Sequence, residues 1–269
     1  MKKVLHKAYK FSNSWTGTVI IVLFVIFFIA QAFRIPSGSM KDSLLVGDHL
    51  FAKKFAYGIS MPHIPFIEMS IMPWSNKLRL VDGDTPKRGD IVIFRFPINP
   101  KQHFVKRCVA IPGDELFVLD KNLYIHHKEG DKWIKENFKN HETINFAGKL
   151  WVKNPYMKEH KGIHHDAKIV NNGRYPMQLF NFAPVKVQKD NYFMMGDNRD
   201  HSNDSRFWGA VPYDNIEGTP WFIYFSITND WEIRWDRIGK TPTDLETPFQ
   251  LDLARKERLK MDKNDHGLY

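Results

Sequence analysis

This sequence predicts a mostly β protein: an antiparallel β-sheet core with an inserted smaller β subdomain, preceded by one N-terminal transmembrane helix. Three observations lead there. No charged residue stands between Phe11 and Phe33. From Asp90 onward, short alternating or apolar runs follow one another with turn residues between them, which is the pattern of antiparallel strands and not of alternating strands and helices. Residues 115–189 are more basic, richer in His and Lys, and less regular than their flanks, as an insertion would be.

Within the uncharged run, Val19 to Ala30 is continuously apolar. A helix over residues 11–33 would extend about 34 Å at ~1.5 Å per residue, enough for a hydrocarbon core of ~30 Å. A cleavable secretory signal has a shorter apolar region followed by a small-x-small pattern, which Gln31-Ala32-Phe33-Arg34 fits poorly. The expectation is a retained anchor over residues 15–33 behind a basic tail over residues 1–14. Lys2, Lys3, Lys7 and Lys10 face no acid there, which keeps the tail cytoplasmic and everything after Arg34 outside. Much of the formal charge of +9 therefore belongs to a topology signal. A nucleic-acid binder would concentrate it on the folded part, so membrane lipid and not nucleic acid is the expected partner. Cys108 is the single cysteine, which excludes an intrachain disulfide and CxxC chemistry.

Residues 34–114 and 190–243 are expected to form the β core, 115–189 the inserted subdomain, and 244–269 a charged tail, either a short helix or disordered. Gly58 to Trp74 is apolar but broken by prolines, and reads as a loop packed on the core or dipping into the outer leaflet. Strands are expected at Ile91–Phe94, Phe104–Ile111, Leu116–Leu119, Leu123–Ile125, Leu150–Val152, Tyr192–Met195, Trp221–Phe225 and Trp231–Trp235, with a hairpin turn at Asp120-Lys121-Asn122. Arg88-Gly89-Asp90 matches a cell-adhesion tripeptide but more simply turns the chain into the Ile91 strand.

Three stretches could carry chemistry. In Ile35-Pro-Ser-Gly-Ser-Met40, the proline sets its own φ and the glycine allows close approaches, so the turn can present a hydroxyl; it can equally be a linker. In His103 to Asp114, strand alternation puts Phe104, Lys106, Cys108 and Ala110 on one side. Among apolar neighbours Lys106 would lose its proton readily and could act as a base; at an edge its ammonium would reach water instead. Cys108 reads as a small buried hydrophobe. Gly196 to Arg206 has no apolar side chain and must satisfy many donors and acceptors, as an ordered network or a solvated loop. A calcium loop would need ligands where Arg199 and His201 stand. The histidines form no zinc spacing, so no metal or other cofactor is expected.

Together these stretches resemble the bacterial type I signal peptidases, membrane-anchored Ser/Lys endopeptidases. The matching blocks are Ile35 to Met40 with Leu44-Leu-Val-Gly-Asp48, Arg88 to Phe94, Phe104-Val-Lys-Arg107 with Pro112-Gly-Asp114, and Gly196 to Arg206 with Trp208-Gly209, in the family's order. The resemblance implies Ser39 as nucleophile and Lys106 as general base. It implies Ser37 and the Ser39 amide as oxyanion hole, Ser202 as the residue orienting the Lys106 amine, and Asp204 with Arg206 as a supporting ion pair. Where the family has Pro-Thr after the nucleophile, Asp42-Ser43 stand here, which bears on the rigidity of that turn. Phe33, Ile35, Met40, Phe104 and Val105 are the expected walls of shallow pockets for small substrate side chains.

The implied function is a serine endopeptidase removing signal peptides from exported preproteins at the outer face of the bacterial inner membrane, close to the secretion translocon. Two alternatives remain open at this stage. One is another Ser/Lys processing protease, such as a conjugation-type peptidase; a self-cleaving repressor should carry a helix-turn-helix, and none is visible. The other is a non-catalytic, membrane-anchored β-domain binding protein.

Overall fold

The structure is a computed structural model and describes residue 6 and residues 9–64, 69–70 and 79–264. The expected loop over Gly58–Trp74 therefore lies partly outside the described residues. In chain order the strands are β1 (Ala30–Arg34), β2 (Asp48–Lys53), β3 (Gly58–Ser60), β4 (His63–Ile64), β5 (Met69–Ser70), β6 (Arg79–Asp82), β7 (Ile91–Arg95) and β8 (His103–Ala110). They continue with β9 (Glu115–Leu119), β10 (Asn122–His126), β11 (Thr143–Phe146), β12 (Lys149–Lys153), β13 (Phe182–Lys186), β14 (Asn191–Met195), β15 (Val211–Pro212) and β16 (Ile216–Ser226).

Two antiparallel sheets hold most of them. A seven-stranded sheet has the order β1-β2-β16-β7-β8-β14-β15, and a five-stranded sheet the order β11-β12-β10-β9-β13. The small sheet is drawn wholly from residues within the stretch expected as an insertion. Val109, Ala110, Phe193 and Met195 of the large sheet share one buried cluster with Leu116, Val118, Leu123 and Ile125 of the small one, so the two sheets have a common core. The β9–β10 hairpin closes as the sequence predicts. Leu119 pairs with Asn122, and Asp120 and Lys121 between them have φ of 46° and 66°, the left-handed pair that a two-residue hairpin turn requires.

The apolar N-terminal run differs from expectation. A helix covers Trp15–Phe24 and widens into a π-helical turn over Val25–Ile29, but Ala30–Arg34 is strand. Ala30 to Arg34 pair in register with Lys53 to His49, because β2 offers them a full ladder of backbone partners. The helical part is correspondingly shortened, and among the described residues no helix is long and apolar enough to cross a membrane. At the other end, Trp231–Trp235 is not a strand. Only a single bridge, Ile227 to Ile233, forms there, and a 3-10 turn begins at Trp235. The residues expected as a charged tail form helices at Pro242–Leu245 and Pro248–Asn264, with Leu245, Leu251 and Ala254 buried.

Candidate active site

Ser39 sits in the connection between β1 and β2, a loop fastened at both ends. Ile35 N–H donates to the Asp48 carbonyl and Gly47 N–H to that of Ile35. The Asp48 carboxylate accepts from the Leu45 N–H, the Ser226 hydroxyl and both Nε and Nη2 of Arg237. Gly47, with φ of 87°, lies so close to the Ile227 carbonyl that a Cβ would stand 2.0 Å from its oxygen. Met40 and Leu44 anchor the loop in a cluster with Ile35, Leu50, Ile91, Ile93 and Leu245. Between these anchors Gly38–Met40 winds into one 3-10 turn that carries Ser39.

Although β16 and β7 separate β2 from β8 in the sheet, the loop reaches Lys106 on β8. The Lys106 Nζ lies 2.7 Å from Ser39 Oγ and 3.1 Å from the Val105 carbonyl. Lys106 is 4% exposed and Ser39 7%. Burial brings the pKa of Lys106 down to about 8, against the opposing pull of the Asp204 and Asp197 carboxylates, neither of which bonds to the amine. At pH 7.5 roughly a quarter of such an amine is neutral, against about one in a thousand for a free lysine. The Phe104 ring stands 5.1 Å from the Nζ, and Cys108, fully buried in the Phe104 cluster, has its thiol pushed well up by burial.

Ser37 is exposed and its Oγ lies 3.4 Å from Ser39 Oγ. The turn's peptide planes are held from the polar loop: Asn198 Nδ2 donates to the Gly38 carbonyl and the Asn198 N–H to the Ser39 carbonyl, both at 3.1 Å. The Gly38–Ser39 peptide carries the Ser39 N–H on the side opposite that carbonyl, so Asn198 also sets where the amide points. Gly196 allows the two loops to meet. A Cβ there would lie 2.3 Å from Ser202 Oγ and 2.5 Å from the Ser39 carbonyl oxygen.

Asp204 and Arg206 form a buried two-point ion pair with both contacts at 2.8 Å, and Asp204 also accepts the Gly196 N–H. Arg206 holds the Asp204 carboxyl below its ordinary range despite burial. Ser202 departs from the sequence expectation. It is buried beside Gly196, with its hydroxyl turned toward the Asp204 carboxylate, whose charged form it favours, and it does not bond the amine; the amine's second bond goes to the Val105 carbonyl, its own strand neighbour. Of the expected pocket residues, Phe33, Ile35, Met40 and Val105 share one cluster. Phe104 belongs to another, stacked 4.6 Å from Phe96. Ile35 and Met40 are buried, and Phe33 and Val105 half-buried.

Several residues escaped the sequence reading. Arg107 points away from Lys106, as alternation requires, and meets Asp197 through Nε at 2.8 Å and Nη2 at 2.7 Å. Ser43 Oγ donates to the same carboxylate at 2.5 Å and so ties the Ser39 loop to the polar loop. A charge on a strand buried on both faces was the available signal for Arg107. Its carboxylate partner, 90 positions away, could not be read from spacing. The one cluster of metal-type ligands among the described residues, Asp114, His127 and Glu129, does not fit an ion. Arg88 already bonds both carboxylates and puts its positive charge where a cation would sit, and Asp114 also accepts the Ile111 and Lys128 N–H groups.

The family model for signal peptidase, peptidase S26, matches residues 9–225, a span that holds Ser39, Lys106 and the polar loop. The chain belongs to this family. Signal peptidase I of Helicobacter pylori is 44% identical to the peptidase over 91% of this chain and 96% of its own length. Signal peptidase I of Buchnera aphidicola (subsp. Acyrthosiphon pisum) is 33% identical over 82% of this chain and 78% of its own. A solved signal peptidase I from Enterococcus faecalis matches 51% of this chain and 97% of its own at 25% identity, with a TM-score of 0.32. With these relatives, the chain is a serine endopeptidase of the signal peptidase I type.

Proposed function

We propose that this peptidase removes signal peptides from exported preproteins with Ser39 as nucleophile and Lys106 as the base that takes its proton. The carrying observation is the 2.7 Å contact between an almost fully buried amine and the Ser39 hydroxyl, with no carboxylate bonded to that amine. A neutral amine accepts the hydroxyl proton as Ser39 Oγ attacks the scissile carbonyl, and the resulting ammonium returns it to the leaving amine. The oxyanion is received by the Ser39 N–H and the Ser37 hydroxyl, which stands beside Ser39 Oγ on the exposed side of the turn. Ser202 offers the new ammonium an acceptor, since a buried hydroxyl that gives its proton to Asp204 keeps its own lone pairs. Asp204 and Arg206 keep the Gly196 backbone against Ser39. Half-buried Phe33 and Val105, packed in one cluster with buried Ile35 and Met40, together with Phe104 line shallow apolar pockets for small side chains before the cut.

The same reading has the enzyme held at the bacterial inner membrane, tail inside and catalytic residues outside, beside emerging preproteins and the translocon. It rests on the helix Trp15–Phe24, which has no charged residue and leaves Val19 to Phe24 exposed, a surface that calls for apolar surroundings. The core assembled from residues 34–114 and 190–243 carries the chemistry, and the small sheet within 115–189 braces it.

The test is to incubate the purified full chain with a preprotein and sequence the new N-terminus. Cleavage after a small residue that disappears in Ser39→Ala supports the reading. Cleavage that survives Ser39→Ala, or a protease-protected catalytic region inside intact spheroplasts, overturns the corresponding part.

A further inference from the structure

Arg107, next to the proposed base, is held by more than the polar loop. Its Nη1 donates to the Gly89 carbonyl at 2.6 Å and its Nη2 to Glu246 Oε1 at 2.5 Å. Glu246 lies beyond the stretch matched by the family model. It follows Leu245, which is buried in the same cluster as Met40. Its second oxygen, Oε2, meets His160 Nδ1 at 2.8 Å. The His160 ring in turn lies against Gly89, where a Cβ would come within 2.9 Å of its Nε2. The C-terminal helix reinforces this junction, because Arg255 Nη2 donates to the carbonyl of Lys161, the next residue after His160.

A chain of polar contacts results, running His160–Glu246–Arg107–Asp197–Ser43. It joins the 115–189 stretch, the C-terminal region, the base strand, the polar loop and the nucleophile loop. Arg107 is adjacent to Lys106, and Ser43 lies four residues past Ser39, just beyond the 3-10 turn that carries it. We infer that Glu246 and His160 are positioning residues for the peptidase reaction, fixing Arg107 and through it the relative placement of Lys106 and Ser39. The inference rests on the Ser39/Lys106 reading. Neither residue touches the reacting atoms, and the effect is one of alignment and of charge balance around a buried guanidinium.

The charges acting on the Lys106 amine are Asp204 and Asp197, and Asp197 is paired with Arg107, which Glu246 also contacts. Loss of the Glu246 charge leaves Arg107 less compensated, which favours the neutral form of Lys106. The experiment measures kcat, KM and the pH–rate profile of the full chain on a preprotein for Glu246→Ala, Glu246→Gln and His160→Ala, beside Lys106→Arg and with thermal unfolding of each variant. The expected result is a kcat lowered by up to about a hundredfold in Glu246→Ala with KM little changed. Glu246→Gln, which keeps the shape and one acceptor oxygen, should recover most of kcat yet have its acid limb displaced to lower pH. A brace that only stabilises the fold would lower the unfolding temperature without moving that limb. Wild-type kcat and an unmoved limb in all three variants, with Lys106→Arg inactive, overturn the inference alone. Activity in Lys106→Arg overturns the dyad and the inference with it.

Discussion

Lys106 and Arg107 are neighbours on β8, both almost fully buried, and burial acts on their charges with opposite outcomes. Lys106 has a hydroxyl and a carbonyl for partners, and its pKa falls to about 8. Arg107 has the Asp197 carboxylate at two points and Glu246 at a third, and its pKa is raised despite the same burial. Arg199 gives a control on this account: it is buried with Nε and Nη1 lacking partners among the described residues, and even its guanidinium drops to about 10. Burial lowers the pKa of a cation unless a carboxylate touches it. The two faces of one strand thus hold, in adjacent residues, an amine whose neutral form is accessible and a fixed charge.

The comparison breaks most severely at Lys106→Arg, which places a permanently charged group where the neutral amine is needed. Preprotein turnover should fall by about 10⁴-fold or more while circular dichroism stays native. On the other face, Asp197→Ala leaves Arg107 short of its two-point partner and frees Ser43. Chemical denaturation should record a loss of about 3–5 kcal/mol, the cost of stranding a buried charge.

Lys106→Met sharpens the contrast through pH. The folded pKa of about 8 lies below the ordinary 10.5, so between those values the unfolded chain binds more protons and wild-type stability rises with pH. Below about pH 8 both states are protonated and the full penalty of the buried ammonium applies. Lys106→Met should therefore be more stable than wild type at pH 7 by up to about 3 kcal/mol, with the advantage fading above pH 8. The wild-type activity profile should rise with pH through a value near 8. The smallest expected effect is at Gly196→Ala, whose Cβ would lie 2.5 Å from the Ser39 carbonyl oxygen. Forcing the loops apart by a fraction of an ångström should reduce kcat by about a hundredfold, with KM little changed.

Much of the small sheet and of β7, β8 and β14 was legible because their apolar runs are short and bounded by turn residues. β1 was not legible: Ala30-Gln-Ala-Phe-Arg34 continues an apolar helical run, and only the presence of β2 as a ladder partner makes it strand. Trp231–Trp235 failed in the reverse sense. Its aromatic spacing suggests a strand, but Trp231 is 83% and Trp235 73% exposed, and one bridge is all the pairing it finds. The C-terminal helices were left between helix and disorder because their packing partners, among them the Met40 cluster, lie far back in the chain.

By itself the sequence determined which residues are candidates for the chemistry: a serine in a Pro/Gly turn, a lysine on an apolar strand, and a long polar loop. Local covalent preferences and strand alternation suffice for that. The tertiary structure alone decided that the turn crosses to β8, that Gly196 and Asn198 set the Ser39 peptide, and that Asp197, Ser43 and Glu246 converge on Arg107. It also decided that the Lys106 amine bonds the Val105 carbonyl and not Ser202. Those outcomes depend on burial and on contacts between residues up to 160 positions apart, and neither desolvation nor long-range geometry is a property of a local stretch of sequence.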